Sequence, residues 1–240
     1  MDIDGLTIRY LRAGSGPQVL LLHGWGGSIE SLQPVIQALA PQFDTTALDF
    51  PGHGRSSLPP KPWHVSDFLD ITMKLMDRLG LARPHVVAHS FGGRVTIQLA
   101  AAHPERAGKL LFTAGAGVAP RPTLRRTLKR TAVTVARSLR INSRIGSKLA
   151  SRDYLNAGEL RATLSLVVAE DLTPLLSSIR SRCLLVWGDR DQETPLYMGQ
   201  TMKARIPDSE LIVFPGAGHF PYLDERNKFN LHALRFLRDP

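Results

Sequence analysis

The chain of 240 residues is 43% hydrophobic, so it can bury one substantial core, and one domain is the natural count. Its single cysteine, Cys183, rules out an intramolecular disulfide and agrees with a reducing compartment. Thirty basic residues against 21 acidic give a net charge of +9, yet there is no bilayer-length apolar run, no internal repeat and no Cys/His spacing of a structural zinc site.

The amino terminus, Met1 to Leu6, carries acids and no apolar core, which argues against a signal peptide and makes a cytoplasmic location the expectation. A first strand is predicted near 6–11, and the sequence leaves open whether it begins as an antiparallel hairpin. The next, near 19–23, is the apolar run Val19-Leu20-Leu21-Leu22-His23 and enters the turn Gly24-Trp25-Gly26-Gly27-Ser28. Glycines in such a turn let backbone N–H groups face a ligand, and the Trp25 amide is the candidate donor. A phosphate cradle is the weaker reading, because the turn lacks both the G-x-G-x-x-G spacing and the Lys-Ser/Thr of a P-loop. Helices follow near 30–40 and 66–79, with Leu32, Val35, Ile36 and Leu39 on one face and Phe68, Leu69, Leu75 and Met76 on another. A strand near 45–49 separates them.

The strand near 84–88 runs into Ala88-His89-Ser90-Phe91-Gly92-Gly93 and then a helix near 91–103. A serine between a buried strand and a helix start sits in a tight turn, with its hydroxyl exposed at the positive end of the helix dipole. That suits a nucleophile, although serine also caps helices well. A hydroxyl needs a base, an orienting acid and oxyanion donors to act at neutral pH. After a strand near 109–113, the strand near 183–187 ends in Gly188-Asp189-Arg190-Asp191, where two acids are candidates. Asp191, deeper in the loop, is preferred to Asp189. A helix near 195–205 and a strand near 209–214 lead to Gly216-Ala217-Gly218-His219, and a helix near 225–237 follows. Ser90, Asp191 and His219 each stand just past the carboxyl end of a strand, the edge where parallel sheets form their crevices. The amides of Trp25 and Phe91 complete the set as an oxyanion hole. His53 and His89 are read as local packing or turn residues, and Phe220 as a lining of an apolar acyl site. No metal and no cofactor is expected.

Strict alternation of strands and helices means a mostly parallel twisted sheet with helices on both faces. The stretches His23-Gly24-Trp25-Gly26-Gly27, Asp49-Phe50-Pro51-Gly52-His53-Gly54-Arg55-Ser56, Ala88-His89-Ser90-Phe91-Gly92-Gly93, Gly188-Asp189-Arg190-Asp191 and Gly216-Ala217-Gly218-His219 resemble the α/β-hydrolase superfamily. Within it the chain looks most like the compact esterase branch that includes pimeloyl-ACP methyl ester carboxylesterases and meta-cleavage-product hydrolases. It implies an α/β-hydrolase fold with a helical lid insertion and a Ser-Asp-His triad acting through an acyl-enzyme. One departure is Ala88, where the G-x-S-x-G pattern has its first glycine; one extra methyl predicts a slightly altered turn. Serine at the nucleophile position favours acyl chemistry over epoxide opening or dehalogenation, which use aspartate there.

The alternation breaks between 113 and 183, and the resemblance makes residues 118–172 the lid, with 1–117 and 173–240 as core. From Arg121 to Arg152 there are ten Lys or Arg and no acid; without them, 20 basic residues face 21 acidic, so this stretch alone carries the excess charge. Leu124, Leu128, Val135 and Leu139 follow helical spacing opposite Arg126, Lys129, Arg130 and Arg137, and a second amphipathic helix follows around Ala157–Val168. Three roles stay open: a cover over the pocket, capture of an anionic or carrier-linked acyl group, and contact with an anionic membrane surface. No nucleic-acid module is present. The expected substrate is a small ester of short to medium acyl chain. A C–C bond hydrolase, a thioesterase and a non-hydrolytic ligand receptor are the alternatives.

Overall fold

The central strands are continuous apolar runs, which only a sheet covered on both faces can use. The computed structural model describes residues 1–121 and 157–239. Among them, a hairpin of β1 (Asp2–Ile3) and β2 (Leu6–Thr7) precedes β3 (Tyr10–Ala13), β4 (Gln18–Leu22), α1 (Gln33–Leu39) and β5 (Asp44–Leu48). Then come α2 (Val65–Arg78), β6 (His85–His89), α3 (Phe91–Ala102), β7 (Leu110–Thr113) and α4 (Arg161–Ala169). The chain ends with β8 (Cys183–Gly188), α5 (Leu196–Arg205), β9 (Ser209–Phe214), the short α6 (Pro221–Asp224) and α7 (Arg226–Arg238).

Seven strands form one sheet in the order β3-β5-β4-β6-β7-β8-β9. Only β3 is antiparallel to its neighbour, with Tyr10 opposite Leu48; every other pair is parallel. Side chains alternate between two cores. Leu20 and Leu22 pack with Phe68 of α2, Val95 of α3 and Met202 of α5, whereas Val19 and Leu21 pack with Ile36 of α1 and Phe229 of α7. The strand order reverses at β4, whose neighbours β5 and β6 lie on opposite sides. The loops leaving β4 and β6 therefore adjoin at the carboxyl edge, where parallel sheets bind ligands.

The single strand expected near 6–11 is instead two pieces. Asp4 (φ 53°) and Gly5 (φ 77°) close the small hairpin, and the Ile8 amide donates to Met1 O at 2.8 Å, so the sheet is joined only from Tyr10 onward. The predicted helix around Ala157–Val168 forms as a 3-10 turn, Gly158–Leu160, followed by α4. The basic helix expected at 124–139, and the lid reading for 122–156, lie outside the described residues. Among the described residues no helix is long and apolar enough to cross a membrane.

Candidate active site

Ser90 ends the β6 run and caps α3 with φ 47° and ψ −110°, a conformation that L side chains avoid and that surrounding structure must impose. Its carbonyl accepts the Gly93 and Ala116 amides, each at 2.9 Å, and its own amide donates to Thr113 O at 3.2 Å. The approach of strand and helix explains the nearby glycines: a Cβ on Gly92 would lie 2.4 Å from Leu22 O, and one on Gly24 would lie 2.7 Å from His89 Nδ1. Ala88 is fully buried in β6, and its extra methyl leaves the turn intact.

The amides of Trp25 and Phe91 donate to no protein acceptor among the described residues. Both residues line, with Ser90, a cavity of about 490 Å³. The Trp25 and Phe91 rings meet edge to face at 5.4 Å, which seats the two loops against each other. Buried His53 packs against both, 4.8 Å from the Trp25 ring and 6.3 Å from that of Phe91.

On the other side of the cavity the loop after β8 contributes Glu193 and Thr194. Asp191, buried in this loop, accepts the Glu193 and Thr194 amides at Oδ1, at 2.8 and 2.9 Å. Its Oδ2 accepts the Thr194 hydroxyl at 2.8 Å and His219 Nδ1–H at 2.9 Å. Burial opposes the carboxylate's charge, but the bonds and positive charge from His219, together with Thr194, outweigh it and hold Asp191 below the usual aspartate value. Asp189 turns elsewhere and accepts the Gly216 amide at 2.7 Å, fixing the loop that carries His219. Of the two candidate acids, Asp191 is therefore the one brought to the histidine.

His219 Nε2 lies 3.3 Å from Glu193 Oε2, and no hydrogen bond joins it to Ser90 among the described residues. His89 braces the same segment, donating from Nε2 to His219 O at 3.0 Å, with its ring 4.8 Å from the His219 ring. Burial pushes the His89 pKa down to about 3, so it stays neutral and keeps that donor. Phe220, expected to line the acyl site, instead packs on His89 at 4.9 Å and remains partly exposed. Its place in the wall is taken by Leu164, Val167 and Val168 of α4 and by Met198 of α5.

Three residues of the site carried no role in the sequence reading: Glu193, Thr194 and Arg94. Thr194 was detectable, since Asp-x-x-Thr is the spacing of a side-chain-to-backbone turn. Arg94 was visible as the one charge in the helical run Phe91–Ala102.

A model of the alpha/beta hydrolase family matches residues 19–230. The chain is 29% identical over 250 residues to the dihydrolipoyllysine-residue acetyltransferase component of the acetoin cleaving system of Cupriavidus necator, covering 95% of this chain and 66% of that protein, so it spans just under two thirds of that relative. It is 26% identical over 269 residues to the 2-hydroxy-6-oxo-6-phenylhexa-2,4-dienoate hydrolase of Comamonas testosteroni, covering 99% of this chain and 93% of the relative. The enol-lactonase of Burkholderia xenovorans LB400 superposes with a TM-score of 0.78 at 22% identity, over 99% of this chain and 98% of that one.

Proposed function

The chain belongs to the alpha/beta hydrolase family, and from that premise we propose that it is a serine hydrolase cleaving small carboxylic esters through an acyl-enzyme on Ser90. The observation that carries the reading is the 2.9 Å contact between His219 Nδ1 and Asp191 Oδ2, held on the loop opposite the strained Ser90. In this reading Asp191 fixes the imidazole tautomer and stabilises the imidazolium. Nε2 exchanges the Glu193 carboxylate for the Ser90 hydroxyl and takes its proton. Glu193, with a side chain 58% exposed, moves away without disturbing the core. Ser90 Oγ attacks the ester carbonyl while the Trp25 and Phe91 amides receive the oxyanion. His219 then protonates the leaving alcohol, and water releases the acid by the same base route.

A panel of p-nitrophenyl esters of increasing chain length, with a fluorophosphonate label, tests this reading. Turnover and labelling should both be lost in Ser90→Ala, with turnover falling on the order of a millionfold. A Ser90→Ala protein that keeps most of its turnover would remove Ser90 as nucleophile. The likeness to the Comamonas dienoate hydrolase favours a second reading, cleavage of a C–C bond beside a ketone by the same groups. One dienoate in the panel separates the two, since an esterase leaves it intact.

A further inference from the structure

Arg94 stands on α3 one helical turn beyond Ser90, about 6 Å further along the axis. Helical side chains lean back toward the amino end, which carries this one toward the turn that presents Ser90. It is 7% exposed, and it lines the same cavity as Ser90, Trp25 and Phe91.

A buried cation ordinarily has an anionic partner, because desolvating a lone charge is costly. Arg94 has none within the described protein. Its Nη1 donates to the backbone carbonyl of Glu170 at 2.8 Å, and Nε and Nη2 donate to no protein acceptor among the described residues. The two nearby acids act on it only at longer range. Glu170 spends its carboxylate on Gln98 Nε2 at 2.6 Å and on the Val65 amide at 3.4 Å, and Asp171 accepts the Thr173 amide at 2.9 Å. Burial lowers the Arg94 pKa, the expected sign for a cation short of compensation, and a guanidinium remains protonated regardless.

We propose that Arg94 forms an anion subsite inside the acyl cavity, so that the preferred ester carries a carboxylate on its acyl chain. The proposal rests on the serine hydrolase reading for the position of the reacting carbonyl. The acyl group stays on Ser90 after the alcohol leaves, so it is the part that must fit within the cavity. A carboxylate a few carbons from the carbonyl meets Nε and Nη2 of the guanidinium, a fork that suits a carboxylate. The remaining wall, including Val167 and Met198, takes the methylene chain between them.

The test compares kcat/KM for p-nitrophenyl butyrate with that for mono-p-nitrophenyl half-esters of succinate, glutarate and adipate. At the best chain length the half-ester should exceed butyrate about 10- to 100-fold, the range for a hydrogen bond to a charged group. That ratio should collapse in Arg94→Met and be partly kept in Arg94→Lys. A ratio near one in the wild type, or a preference that survives in Arg94→Met, overturns the proposal; the second result would give the role to another cation. Should Arg94→Met not fold, calorimetric binding of monomethyl glutarate and methyl butyrate to Ser90→Ala reads the same subsite without turnover. Equal affinities there overturn the proposal. Absent fluorophosphonate labelling with a retained preference for the anionic ester in binding would instead break the hydrolase reading and leave the subsite standing.

Discussion

Two aspartates, Asp49 and Asp191, stand just past the carboxyl ends of buried parallel strands and differ in their last partner. The side chain of Asp49 is 0% exposed, and it accepts the Ile29 amide at 2.7 Å, the Arg55 amide at 2.9 Å and Arg9 Nη1 at 3.1 Å. Its partners are backbone and an arginine that never titrates, so the carboxylate is spent on holding its loop. A Cβ on Gly54 would lie 2.2 Å from its Oδ2, which leaves no space for a ligand there. Asp191 also accepts two amides of its own loop, but its last lone pair goes to a histidine. Under the proposed reading, the two buried carboxylates thus differ in whether the final partner can exchange a proton.

The sharpest way to break this contrast is Asp191→Asn, which should lower turnover about 10⁴-fold by releasing the imidazole tautomer. Steady-state kinetics beside a thermal melt would show it, and a loss of only a few fold would make Asp191 as structural as Asp49. Acid should attack the other region. His23 accepts the Phe50 amide at Nε2, 3.0 Å away, right after Asp49, and burial lowers its pKa to about 4. The unfolded chain therefore binds this proton near pH 6.5 and the folded protein does not. Stability from neutral His23 is complete above pH 6.5 and drains away as pH falls toward 4, by about 3 kcal/mol. Melts at pH 7, 5.5 and 4.5 measure that loss, and a flat profile would contradict it. Asp49→Asn should cost about 2 kcal/mol of stability while turnover per folded molecule changes less than about tenfold. The smallest effect belongs to Thr194→Val, which removes one hydroxyl from Asp191 and should slow turnover about tenfold with the melt shifted by about 1 kcal/mol.

Where burial dictates the pattern, the sequence was readable. The runs at 19–23, 84–88 and 183–187 became β4, β6 and β8 because a strand covered on both faces has to be apolar at every position. The amino-terminal strand was misjudged in extent, since short half-exposed strands owe their pairing to neighbours that a local pattern does not name. Within the site, the positions of Ser90, Asp191 and His219 followed from loops that each succeed a strand. Depth in the loop favours Asp191 over Asp189 from the sequence, and the fold adds the physical reason: both side chains find backbone amides, and only the crossing of two distant loops directs Asp191 to His219. Glu193 beside Nε2 was invisible for the same reason.

The short turn after β7 touches both sides of the cavity at once. Ala116 donates to Ser90 O at 2.9 Å, and Ala114 O, on a residue with φ 49°, lies 3.0 Å from Thr194 Oγ1, a second acceptor beside Asp191 Oδ2 for its single hydroxyl proton. Three small residues, Ala114 to Ala116, thus act as a tie bar that links the turn presenting Ser90 to the loop carrying Thr194 and Asp191 through main-chain atoms. Altering the length of that turn would misalign the two halves while leaving every reacting group in place on its own strand.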